Sequence, residues 1–408
     1  MFRSEPPIAD PKPTSLHSNY PVRDLIRLPV LESASRDRLR SLLEPHAEYL
    51  GLRGVCLDEA DYEPTWLRQL DQVLNRADPS MPAALENAML DIAELANDAG
   101  HERLLEVGVE RQLSLFAERD LLSPTDLAIK AYLEHREIFD ASLARVAALE
   151  VRRFVEFSSP TVEPLVPFDA DAARSELADR CSRWFATRNR TGFCEVYVDQ
   201  GDDQITWQVV HGQPPRTLGI VTDHQARDRR TLVPTRHDFL VLDRRRGVLA
   251  VHAQFPIEEQ FYRRAIGAVY FGGDEHFSVR PLYTGQPIVD EGPGALGIQG
   301  VPGLAYAELR ELTVASSDRR GGVVRWTGDN LTMLLNTAWA RELLSLGRIC
   351  HIKLGLRLDH RARPLTVEVH PPNRITFDRR VAPDVVREFL LLRGFMVAPG
   401  RTERQVAE

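Results

Sequence analysis

Lysine is almost missing from this chain. Only Lys12, Lys130 and Lys353 occur, so nearly all of its 51 basic side chains are arginine. Positive charge is thus carried by planar guanidinium forks, which suit phosphate and carboxylate oxygens; the codon bias of a GC-rich genome would produce the same excess. Cysteine is scarce too. Cys56, Cys181, Cys194 and Cys350 form no CxxC pair, which argues against a zinc ribbon or a disulfide scaffold and predicts buried thiols. No apolar run is long enough to cross a membrane, and the N-terminal MFRSEPPIADPKPTSLHSNYPVRD lacks the apolar core of a secretory signal. The expectation is a soluble, cytoplasmic protein with no membrane partner.

The common catalytic signatures are also wanting. There is no GxxxxGK[ST] loop, no GxSxG elbow and no HxH or HExxH spacing. Gly292-Pro-Gly294-Ala-Leu-Gly297 has the spacing GxGxxG, but a dinucleotide fingerprint closes a strand and opens a helix, and Pro293 and Pro302 fit a loop instead. These absences assign no catalytic residue, no metal and no cofactor, and they lean away from an enzyme.

What is present is an ordinary globular composition, 43% hydrophobic and 27% charged over 408 residues, long enough for more than one core. Charge is uneven. Residues 1–190 carry 23 Lys and Arg against 33 Asp and Glu, a balance of −10, whereas residues 191–408 carry 28 against 26, a balance of +2.

The organising pattern is strand, basic turn, strand, helix. It first runs from Arg236 to Gly272: Phe239 to Leu242 and Val248 to Phe255 flank Asp243-Arg-Arg-Arg-Gly247, and Pro256 opens a helix that stops at Gly272. A second copy has strands Leu312 to Ala315 and Val323 to Thr327 and a helix from Leu331 to Leu346, capped by Asp329. The third pairs Ile349 to Leu358 with Leu365 to His370, adds Arg374 to Phe377, and ends in a helix from Pro383 to Arg393. Upstream, Ala170 to Arg188 reads as an amphipathic helix. It is followed by a hairpin whose tip, Gln200-Gly-Asp-Asp203, is acidic where the later tips are basic.

The predicted fold is therefore α+β and multidomain: an N-terminal all-helical domain followed by an α+β region of β-hairpin/helix (ββα-like) units. Its expected divisions are a Pro-rich extended arm (1–34), the helical domain (35–155), a linker and connecting helix (156–190), and the hairpin-helix region (191–408), subdivided near 280–304. The last helix of the helical domain is expected to run from Leu127 to Phe154 with a break around Glu137 to Asp140. Arg280 to Gly303, rich in Gly and Pro, reads as a surface loop or lid.

Three functions compete. In the first, a non-enzymatic nucleic-acid-binding or adaptor protein presents Arg244, Arg245, Arg246, Arg319, Arg320, Arg361 and Arg363 on one rim to phosphates, while the acidic helical domain holds a partner protein. In the second, a scaffold subunit uses its five tryptophans at cores and interfaces without touching nucleic acid. In the third, a metal-dependent nuclease-like enzyme uses Asp359, Glu368 and His370, although Asp359 is also a good turn residue and His370 stands where such sites carry lysine.

Overall fold

The computed structural model of the chain describes residues 26–57, 64–76, 78, 80–113, 122–221, 227–316 and 322–397. The chain divides into two compact units, Met1–Glu102 with Leu115–Arg136, and Arg103–Ser114 with Glu137–Glu408.

The first unit is helical. It holds α1 (Leu28–Ser33), α2 (Arg36–Leu43), α3 (Ala47–Gly51), α4 (Pro64–Asn75), α5 (Ala83–Leu95), the start of α6 (Asp98–Glu110) and α7 (Pro124–Glu134). Leu85, Met89, Ile92 and Leu95 recur at helical spacing along α5 and are fully buried, as are Leu70 and Leu74 of α4. The Ser123 hydroxyl caps α7 by accepting from Asp126 N, and Asp126 accepts from Ser35 N at 2.7 Å at the start of α2. The expected extended arm therefore becomes helical at α1, with Pro29 in its first turn; residues 1–25 lie outside the described part.

The long final helix expected in this region is two helices and a strand. After α7 comes α8 (Arg136–Glu150), and then β1 (Arg153–Ser158) enters the sheet of the second unit. Further along lie α9 (Asp171–Ala186), β2 (Cys194–Gln200), β3 (Gln204–Gly212), β4 (Arg216–Val221), β5 (Arg227–Leu232), β6 (Thr235–Asp243), β7 (Val248–His252) and α10 (Pro256–Phe271). They are followed by α11 (Gln286–Glu291), β8 (Leu304–Ser316), β9 (Val323–Thr327), α12 (Ala338–Leu346), β10 (Gly347–Leu358), β11 (Leu365–His370), β12 (Arg374–Thr376) and α13 (Pro383–Leu392). The class is mixed α+β, as the sequence pattern implies.

Among the described residues ten strands form one antiparallel sheet in the order β2-β3-β6-β7-β1-β12-β11-β10-β8-β9, while β4 and β5 pair separately. Residues directly opposite in an antiparallel pair share a face, so the register tells which face each half of the sheet buries. Trp207, Leu240, Val251 and Val155 lie opposite one another in turn, and all belong to a core that includes α9 and α10. Val155 faces Arg374 across β1 and β12, whereas the neighbouring Phe154 faces Ile375. Ile375, Val369 and Ile352 then continue on that second face into a core that includes α13. The two halves of the sheet thus bury opposite faces, and the switch falls at β1 and β12.

Two expectations need correction. Arg280 to Gly303 is a packed segment containing α11 and a short 3-10 turn, with Leu282, Tyr283, Ile288, Leu296 and Val301 buried in the second core. The helix expected from Leu331 begins instead as a 3-10 turn over Thr332–Asn336; α12 starts after Thr337, whose hydroxyl caps it. By contrast, α10 starts at Pro256 and ends on Gly272 at φ 75°, a left-handed conformation that glycine adopts without a Cβ clash.

Candidate metal centre

The two described arginine tips do not converge. The turn of Arg244, Arg245 and Arg246 precedes Val248, which faces Ser158 at the end of β1; Val155 of β1 faces Arg374 at the start of β12, and Arg374 faces His370 at the end of β11. Arg361 and Arg363 precede Leu365, the start of β11, and so sit at the opposite end of the strands. Both are exposed. Arg319 and Arg320 lie outside the described residues.

Within the first turn the three arginines also differ. Arg245 Nε donates to Asp203 Oδ1 at 2.7 Å and Arg244 N to Asp203 O at 2.8 Å, so the acidic tip of one hairpin holds the basic tip of the next. Arg246 turns inward, where its Nη2 donates to Oε2 of the buried Glu156 at 3.2 Å.

The face of the β12-β11-β10-β8 half opposite its core carries a denser constellation. Reading across the strands, Thr313, His351, His370 and Arg374 form one row; Glu311, Lys353, Glu368, Thr376 and Arg153 form the next. Alternation explains the arrangement: Ile352, Leu354, Val367 and Val369 fill the core, so His351, Lys353, Glu368 and His370 must face away from it.

His351, Glu368 and His370 each offer one ligand atom, all within 4.8 Å of one another. Glu368 Oε2 is 3.8 Å from Nε2 of His351 and 3.8 Å from Nε2 of His370, while Oε1 is held by Lys353 Nζ at 3.0 Å. His351 Nδ1 lies 2.9 Å from Glu311 Oε1. Arg325, followed by His351, holds the Glu311 carboxyl below its ordinary range against a smaller opposing effect of burial, so Glu311 is an ionised acceptor. The proton of neutral His351 therefore belongs on Nδ1. Its Nε2, buried and without a hydrogen-bond partner, presents a lone pair toward Glu368 and His370. A carboxylate that fixes the tautomer of a histidine is the usual outer partner of a metal-bound imidazole.

The distances also suit an ion. Ligand atoms about 2.0–2.2 Å from a tetrahedral metal stand roughly 3.3–3.6 Å apart. The 3.8 Å separations must therefore close by only a few tenths of an ångström. The two imidazoles stack with centroids 4.1 Å apart and planes 8° from parallel. For both imidazoles to hold a common ion, one ring would have to turn out of this stack. Burial and then the neighbouring His351 push the His370 pKa down to about 4.

Asp359, the third member of the sequence-derived nuclease set, is absent from this cluster. It lies in the exposed turn after β10, beyond the end of the strand in whose interior His351 sits. Conversely, sequence reasoning missed His351 and Glu311, which only cross-strand register brings to Glu368. Elsewhere among the described residues, His211 is fully buried, 2.9 Å from Asp238 and stacked on Phe185. Of the four cysteines Cys181 is buried but Cys56 is exposed, contrary to expectation, and all are free thiols. Among the described residues no helix is long and apolar enough to cross a membrane.

No protein-family model matches the chain, and no curated protein matches it. Any function must therefore be argued from its own residues.

Proposed function

We propose that this chain is a metal-dependent protein whose centre is a divalent transition-metal ion held by His351, Glu368 and His370. The observation that carries this reading is the buried Nε2 of His351, without a hydrogen-bond partner while Glu311 engages Nδ1. Two imidazoles and one carboxylate suit zinc, iron, cobalt or manganese better than magnesium or calcium, which prefer oxygen. Three protein ligands leave coordination positions open, the arrangement of catalytic rather than closed structural sites.

An ion there would supply Lewis acidity and a bound water of lowered pKa. Arg374, opposite His370 on β12, has a buried Nε without a hydrogen-bond partner. It provides an anion-binding donor beside the centre, which favours hydrolysis of an anionic ester such as a phosphodiester. Lys353 would keep Glu368 oriented through Oε1. The nucleic-acid rim and adaptor reading has less support, because the described arginine tips lie at opposite strand ends and Arg246 is turned inward.

The test is hydrolysis of bis(p-nitrophenyl) phosphate by metal-loaded and EDTA-treated protein, beside Glu368→Gln and Arg374→Gln. Activity that requires zinc, manganese or cobalt, vanishes in Glu368→Gln and falls in Arg374→Gln is the expected outcome. Activity equal in wild type and Glu368→Gln would remove this centre from the reaction.

A further inference from the structure

A second constellation lies on the opposite face of the sheet, in the other half. Asp199, Thr206, Val241, Ala250 and Glu156 face one another in turn across β2, β3, β6, β7 and β1, forming a row on the side away from α9 and α10. A cavity of about 350 Å³ opens over the Thr206 and Val241 part of this row, walled by α8 on one side and by Arg379 with the first turns of α13 on the other. That volume is at the lower end of what small-molecule sites enclose.

The two ends of the row are balanced differently. At the Asp199 end, Arg145 bonds to both Asp199 and Glu110, and its guanidinium is satisfied. At the Glu156 end, Arg246, Arg379 and Arg387 stand against two buried carboxylates, Glu156 and Asp243, and the fully exposed Asp384. Glu156, 2% exposed, is already engaged by Tyr283 OH at 2.6 Å and Arg246 at 3.2 Å.

Arg379 is the group left over. It is 8% exposed, lies 3.6 Å over the Phe154 ring, and comes no closer to Glu156 than an ion-pair distance of 3.5 Å. Its Nε and Nη2 are buried without a hydrogen-bond acceptor. Arg387 reaches Asp243 and Asp384 only at 3.8 and 3.9 Å. A buried guanidinium with unused donors is costly unless something supplies the missing oxygens. Burial, only partly offset by Glu156, pulls the Arg379 pKa down to about 10, which reflects the same shortage of negative charge.

We infer that this cavity binds a small ligand through an oxyanion group, a phosphate or a carboxylate, gripped by Arg379 and Arg387. The paired guanidinium forks match the planar or tetrahedral oxygens of such a group. Thr206 offers a hydroxyl on the floor, Ala148, Leu149 and Val241 add apolar surface, and the carboxylates that also line the cavity, Glu110, Asp199, Asp202 and Asp203, stand toward the Asp199 end and its Arg145. The site is independent of the metal centre, which lies on the other face and shares none of these residues.

The experiment is calorimetric titration of the full chain at low ionic strength with inorganic phosphate and, separately, with acetate. The variants are Arg387→Gln, Arg379→Met and the remote Arg361→Gln. Saturable binding of at least one anion, weakened tenfold or more by Arg387→Gln and Arg379→Met and unchanged in Arg361→Gln, is expected; the preferred anion tells phosphate ligands from carboxylate ligands. Should circular dichroism show that Arg379→Met does not fold, the half-buried Arg387 decides the matter. No saturable binding of either anion, or affinity unaltered by Arg387→Gln, would overturn the assignment.

Discussion

The two halves of the ten-stranded sheet solve the same packing problem in mirror fashion. The β2-β3-β6-β7-β1 half buries one face in a core with α9 and α10, and the β12-β11-β10-β8-β9 half buries the other in a core with α13. Each half consequently leaves a different face free of its own core. On one the free face carries Glu156, with three arginines around it and an adjacent cavity; on the other it carries two histidines and a glutamate. Switching the buried face at β1 and β12 gives a continuous sheet two chemically separate surfaces.

Truncating a central residue of either core tests this comparison most severely. Trp207→Ala and Leu354→Ala each remove a fully buried side chain from one half. Losses of about 3–5 and 2–5 kcal/mol respectively are expected from urea unfolding. If both variants also lower a single cooperative transition, the halves unfold as one; separate transitions would show that the shared sheet does not couple them.

Glu156→Ala should cost about 3–5 kcal/mol, because it strands buried Arg246 and Arg379. The acid limb sharpens the point. Burial opposes ionisation of Glu156, but Arg246 and Arg379 prevail and hold its pKa below the ordinary 4.5. Its stabilisation is therefore present above about pH 4.5 and lost as pH falls through the lower folded value. The stability curve of Glu156→Gln should be flatter over that interval, and identical acid limbs would argue against the pairing.

On the other face, Glu311→Gln should leave folding intact yet weaken metal binding about 10–100-fold, the usual effect of losing the outer partner of a ligand histidine. An unchanged affinity by competition titration would show that Glu311 does not set the His351 tautomer. The smallest effect belongs to the exposed turn: Arg361→Gln should alter stability by no more than about 0.5 kcal/mol, whereas Arg246→Gln, inward and paired with Glu156, should cost several times that.

Much of this architecture is legible in the chain where turns and periodicity agree. Asp243 to Gly247 between two apolar runs, then Pro256 and Gly272 around a helical pattern, delimit β6, β7 and α10 to within a few residues. β1 is harder to read, because Arg153-Phe-Val-Glu-Phe-Ser158 follows α8 without a Gly or Pro break and Phe154 fits the spacing of the preceding helix. The 280–303 segment misleads through composition: its glycines and prolines signal a loop, yet Tyr283, Ile288 and Leu296 are core residues.

Alternation along a strand shows that one face is apolar but not toward which side of a shared sheet it points. The face switch is therefore invisible without the register of β1 against β12. The candidate centre divides in the same way. Glu368 and His370, two apart on β11, are recognisable as a same-face pair, whereas His351 and Glu311 join them only through pairing across β10 and β8. The acidic tip at Asp203 had a readable sign but no readable partner until β3 and β6 set it beside Arg245.

The most direct measurement is cobalt(II) titration of the full chain, followed by visible absorption, in wild type and in His351→Ala and His370→Ala. Saturation at about one equivalent, with ligand-field bands that are lost or greatly weakened in both variants, is the result expected of a metal centre on this face. Absence of stoichiometric binding, or identical spectra from wild type and His351→Ala, would contradict it.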